Sequence, residues 1–333
     1  MPNNKDKFTN NSTSKVIVIG ASAGGMDALI KLLAQLQKDF PAPILVVQHL
    51  SPEITGEVLI KSYNNKTNLT CEIAQNGTSL KNGHVYMAPA DFHLMIGDDE
   101  RILITKGAHE NRARPAIDPL FRSTAVVFGN RVISIILTGY LDDGTAGSIV
   151  VKRCGGTCIV QDPEEAQYPD MPQNVINQIE VDYILPLAEM GGLLYSLLAT
   201  KIGKRKPVPK DILVESEIAK KVLSDLASVN ALGDQVPFNC PGCGGVLWQV
   251  DKGDSLRYRC HTGHAYTAQY LLEEQNKRIE ETMWVALRMF EERKNLLTTM
   301  SKQMKGKSAN SAMERAEFSQ KHIDRIKSIL HSD

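Results

Sequence analysis

Between residues 15 and 200 the chain alternates short, continuous apolar runs with segments of helical periodicity. The runs KVIVIG (15–20), PILVVQH (43–49), HVYMAPA (84–90), HLMIGD (93–98), RILIT (101–105), RVISIILT (131–138) and TCIVQD (157–162) predict strands covered on both faces. Helices are predicted over about 25–38, 55–65, 118–129, 144–154 and 187–199. Strands and helices in this order predict an α/β fold: a doubly wound, mostly parallel sheet, with the closely spaced runs of 84–105 as an antiparallel hairpin insert.

The flanks read differently. Residues 1–14 lack apolar periodicity and are expected to be a disordered tail, which leaves 15–200 as one domain. The segment KIGKRKPVPK (201–210) opens a basic linker and helix spanning 201–235. A small Cys/His module is expected over 236–266, and an amphipathic helix with a tail over 267–333. A heptad seam through Leu272, Asn276, Ile279, Met283, Ala286, Phe290, Arg293, Leu297, Met300 and Met304 is broken only at Asn276 and Arg293. It predicts an antiparallel helix partner or a coiled-coil dimer; the other reading is one helix laid on its own domain.

Composition narrows the function classes. The 333 residues carry 38 Lys+Arg and 38 Asp+Glu, so no global charge points to nucleic acid or an anionic membrane. Aromatics at 6% do not supply a stacking surface for single strands. Nothing resembles a signal peptide or a membrane span, so a soluble, cytoplasmic protein without membrane insertion is expected.

The first strand runs into Gly20-Ala21-Ser22-Ala23-Gly24-Gly25. A dinucleotide fingerprint would need glycine where Ser22 stands and an acidic residue ending the second strand, which instead ends in Gln48-His49. A nucleophile elbow, G-x-S-x-G, fits better; a glycine-rich turn with an N-capping serine is the plain structural alternative. His49 ends its strand at the edge where ligands bind open α/β sheets, and is a candidate general base. Asp142 and Asp143 follow the strand at 131–138; one could orient His49, and one could instead cap the next helix.

Cys240 and Cys243 form a C-x-x-C knuckle, and Cys260-His261-Thr262-Gly263-His264 supplies a second group. Cys240, Cys243, Cys260 and His264 suit a closed, tetrahedral structural Zn²⁺ site, with His261 as the substitute fourth ligand. Cys71, Cys154 and Cys158 lack ligand spacing and read as core residues.

Six separated motifs, VIGASAGG (18–25), VVQHLSP (46–52), VYMAPADFHL (85–94), RPAIDPLFRS (114–123), LTGYLDDGTAG (137–147) and QDPEEAQYPDMPQNVI (161–176), resemble the chemotaxis-receptor protein-glutamate methylesterases, the CheB type. The resemblance implies a catalytic triad of Ser22, His49 and Asp143, an oxyanion hole from the backbone of Ala23 and Tyr140, and no cofactor for catalysis. It implies hydrolysis of γ-glutamyl methyl esters on cytoplasmic helices of methyl-accepting chemoreceptors, and deamidation of receptor glutamines. Histidine kinases or methyltransferases of the same pathway are the further partners it suggests. Arg112, Arg114 and Arg122 could meet an acidic receptor surface; pairing with local carboxylates is the other reading. At 139–144 the family commonly has Gly-Met-Gly-x-Asp-Gly, and here Tyr140 and Leu141 replace its Met and second Gly. The motif begins at residue 15, so a receiver-less enzyme, not switched by phosphorylation in cis, is expected. A triad complete by residue 143 predicts a C-terminal module that docks or autoinhibits, so that cleavage near residue 200 leaves hydrolysis intact. The rival functions are a serine esterase or amidase acting elsewhere, and a non-catalytic docking protein that keeps the fold.

Overall fold

A computed structural model of the chain describes residues 15–49, 56–220, 226–250 and 256–331. The segment expected to be a disordered tail, 1–14, lies outside them, as does the end of the motif at 46–52. In chain order the elements are β1 (Val16–Ala21), α1 (Gly25–Leu33), β2 (Ile44–Gln48), α2 (Gly56–Lys66), β3 (Thr70–Ile73), β4 (His84–Met87), β5 (His93–Ile96), β6 (Ile102–Thr105), α3 (Ile117–Phe128), β7 (Val132–Ile136), α4 (Thr145–Arg153), β8 (Thr157–Gln161), α5 (Asp170–Gln178), β9 (Tyr183–Leu185) and α6 (Leu187–Ala199). They are followed by α7 (Lys210–Lys220), α8 (Leu226–Asn230), β10 (Asp234–Asn239), β11 (Val246–Gln249), β12 (Arg257–Cys260), β13 (Ala265–Thr267), α9 (Ala268–Gln303) and α10 (Lys307–Leu330).

Seven strands form a parallel sheet in the order β3-β4-β2-β1-β7-β8-β9. Alternation along β1 explains why it sits in the middle. Val16 and Val18 enter a core shared with α3, α4 and α5; Ile17, Ile19 and Ala21 enter the opposite core with α1, α2 and α6. The predicted antiparallel hairpin is β5–β6 alone, with Leu94 opposite Ile104. The run at 84–90 instead supplies β4, which pairs parallel to β2 because Val85, Tyr86 and Met87 are buried on both sides.

The segment 201–209 has no regular structure, but Arg205 Nη2 donates to Val126 O at 2.8 Å and Gly203 O accepts from Asn130 at 2.8 Å. β10 to β13 form a second, antiparallel sheet. Trp248 of that sheet packs with Ile218 of α7, Val229 of α8 and Leu232.

The chain divides into two compact units, Met1–Tyr270 and Leu271–Asp333. In the second, α10 runs antiparallel to α9: Phe290 stacks on His322 with centroids 4.9 Å apart, and Lys294 Nζ donates to Gln320 at 2.9 Å. Leu287 and Leu297 of α9 and Ala312, Ala316 and Ile323 of α10 are buried. Among the described residues no helix is long and apolar enough to cross a membrane.

Candidate active site and metal centre

β1, β2 and β7 are neighbours, and the chain leaves β1 toward β2 on one side while β7 lies on the other. This switch point opens a crevice at the carboxyl edge of an α/β sheet, where ligands bind. Ser22 follows β1 directly. Its N–H donates to Thr138 O at 3.0 Å and its carbonyl accepts from Gly25 N at 2.9 Å, closing a tight turn. Gly24 takes φ 73°, which a side chain would resist, and α1 starts at once. At Gly20 an added Cβ would lie 2.6 Å from Ile117 Cγ2.

His49 follows β2, fixed by its N–H to Ala21 O at 3.0 Å. Its Nδ1 lies 3.3 Å from Ser22 Oγ, and its Nε2 lies 3.0 Å from Asp143 Oδ2, with the ring N–H directed off the oxygen. The three residues singled out in sequence therefore meet, with His49 between the other two.

Asp143 is buried. Its Oδ2 accepts from Ile117 N at 2.7 Å, the first amide of α3, and its Oδ1 accepts from Asn111 Nδ2 at 3.0 Å. Asp118, one position into α3, returns the contact: its Oδ1 accepts from Gly144 N at 3.1 Å and Gly147 N at 2.7 Å, at the start of α4. Each helix thus has its N-terminal amides satisfied by a carboxylate belonging to the other. The Asp143 side chain turns to α3 and His49, and the N-cap residue of α4 is Gly144. Burial, and then the facing Asp143, push Asp118 up to about 7. Asn111 Nδ2 donates to Asp118 Oδ2 at 2.8 Å as well, so one amide bridges the two carboxylates. Sequence reasoning assigned no role to Asn111 or Asp118. An acidic residue in a first helical turn reads as ordinary dipole compensation, and a lone asparagine carries no signal.

Among the described residues the amides of Ala23 and Tyr140 donate to no other group. Leu141 adopts φ 64°, the left-handed conformation that favours glycine, at a cost of about 1 kcal/mol. Its carbonyl is held by Asn174 Nδ2 at 2.7 Å. Tyr140 is exposed, its ring 4.4 Å from that of Tyr168. Gly139 is required by close packing, since a Cβ there would lie 2.2 Å from Met171 Sδ and 2.7 Å from Ser22 Cβ.

A cleft of about 410 Å³ opens beside His49, lined among others by Asp91, His109, Arg112, Arg114, Leu141 and Tyr270. Arg114 donates to Asp91 through Nε at 2.9 Å and to Gly107 O at 2.8 Å. Arg112 and Arg114 face this cleft, but Arg122 corrects the expectation of a substrate contact. It is fully buried and donates to Glu110 Oε1 at 2.8 Å and Glu215 Oε1 at 3.1 Å. Arg257 and Arg259 of β12 join the same two carboxylates, with Arg259 Nη2 2.8 Å from Glu110 and 3.2 Å from Glu215. Burial alone would raise Glu110, but Arg122 and Arg259 hold it at about 2.

In the small sheet, one ligand atom from each of Cys240, Cys243, Cys260 and His264 lies within 4.8 Å of the other three. Cys243 Sγ is 3.7 Å from Cys260 Sγ, and Cys260 Sγ is 3.6 Å from His264 Nδ1. Tetrahedral Zn²⁺ with ordinary bond lengths requires about 3.8 Å between two sulfurs and about 3.6 Å between sulfur and nitrogen. The donor set fits that ion, and two tight turns hold it: Gly244 N to Cys240 O, and Gly263 N to Cys260 O.

Comparison with known proteins gives the same direction. A family model described as CheB methylesterase matches residues 17–194. A protein-glutamate methylesterase/protein-glutamine glutaminase of Thermotoga maritima is 36% identical over 189 residues, 56% of this chain and 55% of that protein. The chain thus spans about half the length of that relative. A Leptospira interrogans relative is 35% identical over 191 residues, 57% of this chain and 98% of that one. The crystal structure of the Thermotoga maritima CheB methylesterase catalytic domain is 37% identical, with TM-score 0.54, covering 56% of this chain and all of that one.

Proposed function

Because the chain belongs to the CheB methylesterase family, we propose that it is a protein-glutamate methylesterase acting through Ser22, His49 and Asp143. One observation carries the reading: Ser22 Oγ, the His49 ring and the Asp143 carboxylate lie in sequence at 3.3 and 3.0 Å on three adjacent strand ends. Ser22 Oγ attacks the γ-carbonyl of a glutamyl methyl ester while His49 Nδ1 takes its proton. The tetrahedral oxyanion is held by the free amides of Ala23 and Tyr140. His49 then protonates the departing methoxide, methanol leaves, and a Ser22–glutamyl ester remains. Water, deprotonated by His49, attacks that ester, and the returning proton restores Ser22 and frees glutamate. Glutamine would follow the same route with ammonia leaving.

The substrate is a glutamyl methyl ester on a cytoplasmic helix of a chemoreceptor, read by the cleft that Arg112 and Arg114 line. Cys240, Cys243, Cys260 and His264 would hold Zn²⁺, which supplies a structural cross-link and takes no part in the hydrolysis.

The test is methanol release from methyl-labelled receptor by the purified chain. Ser22→Ala is expected to lower the rate at least about a thousandfold. Ser22-dependent turnover of simple esters with none on any receptor would give the chemistry a different substrate, and Ser22-independent release would end the reading.

A further inference from the structure

The residues that fix Asp143 are themselves fixed by the Cys/His sheet. Asn111 N donates to Ala265 O at 2.9 Å, and Ala265 N donates to His109 O at 3.3 Å. The Asn111 side-chain oxygen accepts from Thr267 N at 3.3 Å, while its nitrogen serves Asp118 and Asp143. β13 therefore meets residues 109–111 through a parallel bridge between Glu110 and Ala265. Asn111 and Arg112 take φ 49° and 62°, left-handed conformations that asparagine adopts readily and arginine rarely. The preceding residue, Glu110, is clamped between Arg122 of α3 and Arg259 of β12. A second contact reaches the loop before α4 directly, from Thr267 Oγ1 to Asp142 Oδ1 at 3.2 Å.

We propose that the Cys/His module is a working part of the esterase: β13 sets Asn111, and Asn111 is a positioning residue that orients Asp143 toward His49. The β13 residues lie more than 200 positions beyond Ser22 in sequence, yet their main-chain bonds to His109 and Asn111 fix the loop at 109–113 together with Arg122 of α3. It follows that the module is neither a dispensable dock nor a removable inhibitor, and that removing it near residue 200 impairs hydrolysis. The inference rests on the assignment of Asp143 as the partner of His49.

The experiment uses the full-length protein, with p-nitrophenyl acetate as substrate so that receptor identity plays no part. Its second readout is the ring N–H resonance of His49 in histidine-labelled protein. Asn111→Leu is expected to lower kcat about tenfold to a hundredfold, with KM within about twofold, and to shift the His49 signal. Cys243→Ser, or chelation of the assembled protein where that variant does not accumulate, is expected to shift the same signal and lower kcat. Applied on top of Asn111→Leu it lowers kcat by less than it does alone, because both act through the Asn111 contact. Multiplying effects, or a Cys/His module that Trp248 emission shows to be opened while the His49 signal is unmoved, would overturn the inference. Turnover that persists in Ser22→Ala would instead defeat the triad assignment, while the His49 signal would still report the linkage.

Discussion

Glu215→Gln addresses the buried cluster that joins α7 and β12 to α3. Glu215 Oε1 accepts from Arg122 Nη1 at 3.1 Å, from Arg259 Nη2 at 3.2 Å and from Arg257 Nη2 at closer range, and Oε2 accepts from Arg257 Nη1 at 3.3 Å. Two carboxylates here face three guanidiniums, and none of the five is more than 7% exposed. The amide would remove one negative charge and turn an N–H₂ group toward N–H donors. Breaking a buried pair from one side costs about 3–5 kcal/mol, against a total stability of about 5–15 kcal/mol. The melting temperature of this unit should fall by about 6–20 °C. Burial alone would raise both carboxyls, but the arginines hold Glu110 at about 2 and Glu215 well below its usual range. A lowered folded-state pKa contributes stability above the unfolded value, near 4.5, and loses it as pH falls through the folded value. Wild type and variant should therefore differ fully at pH 7, and the gap should start to narrow below about pH 4.5 and keep shrinking as the pH falls further. The assay is urea unfolding followed by Trp248 emission in a Trp284→Phe background, which leaves one of the two tryptophans. A gap under about 1 kcal/mol at pH 7, or one that does not shrink in acid, would refute the reasoning.

Other perturbations probe the site itself. Gly139→Ala should cost about 1–3 kcal/mol and most of the esterase activity; adding Met171→Ala should restore stability but not rate, since the Ser22 Cβ contact remains. Leu141→Gly should leave thermal stability within about 1 kcal/mol, because relief of the φ 64° strain offsets the added chain entropy. Asp118 is raised to about 7, so its contribution is complete below about pH 4 and is lost as pH rises through 7; urea midpoints at pH 5 and pH 8 should differ in wild type and converge in Asp118→Asn. Metal analysis of the purified chain should give one zinc per molecule, falling in Cys260→Ser.

The central strands were legible because parallel strands buried on both faces are continuous apolar runs, and their carboxyl ends carried Ser22, His49 and Asp143. β9 was not, since as an edge strand it leaves Tyr183 and Ile184 exposed and has no two-sided signature. β3 is likewise an edge strand whose TCEI mixes both classes. α5 is short, mostly polar and carries Pro172 in its first turn, which hid it. The fate of Arg122 could not be read locally, because one of its two carboxylate partners, Glu215, is 93 positions away. The Cys/His spacing was legible; that its hairpin would brace Asn111 was not, because the contact is made by main-chain atoms of Ala265 and Thr267, which any sequence supplies.

The exchange of carboxylates between α3 and α4 has an evolutionary consequence. Asp143 both faces His49 and terminates α3, so selection for a folded protein and selection for a working hydrolase act on the same oxygen atoms. A lineage drifting toward a docking role could discard Ser22 at little structural expense, but would keep Asp143 long after the chemistry was gone. Among descendants of such a protein, the serine is the position at which loss of catalysis would first be visible.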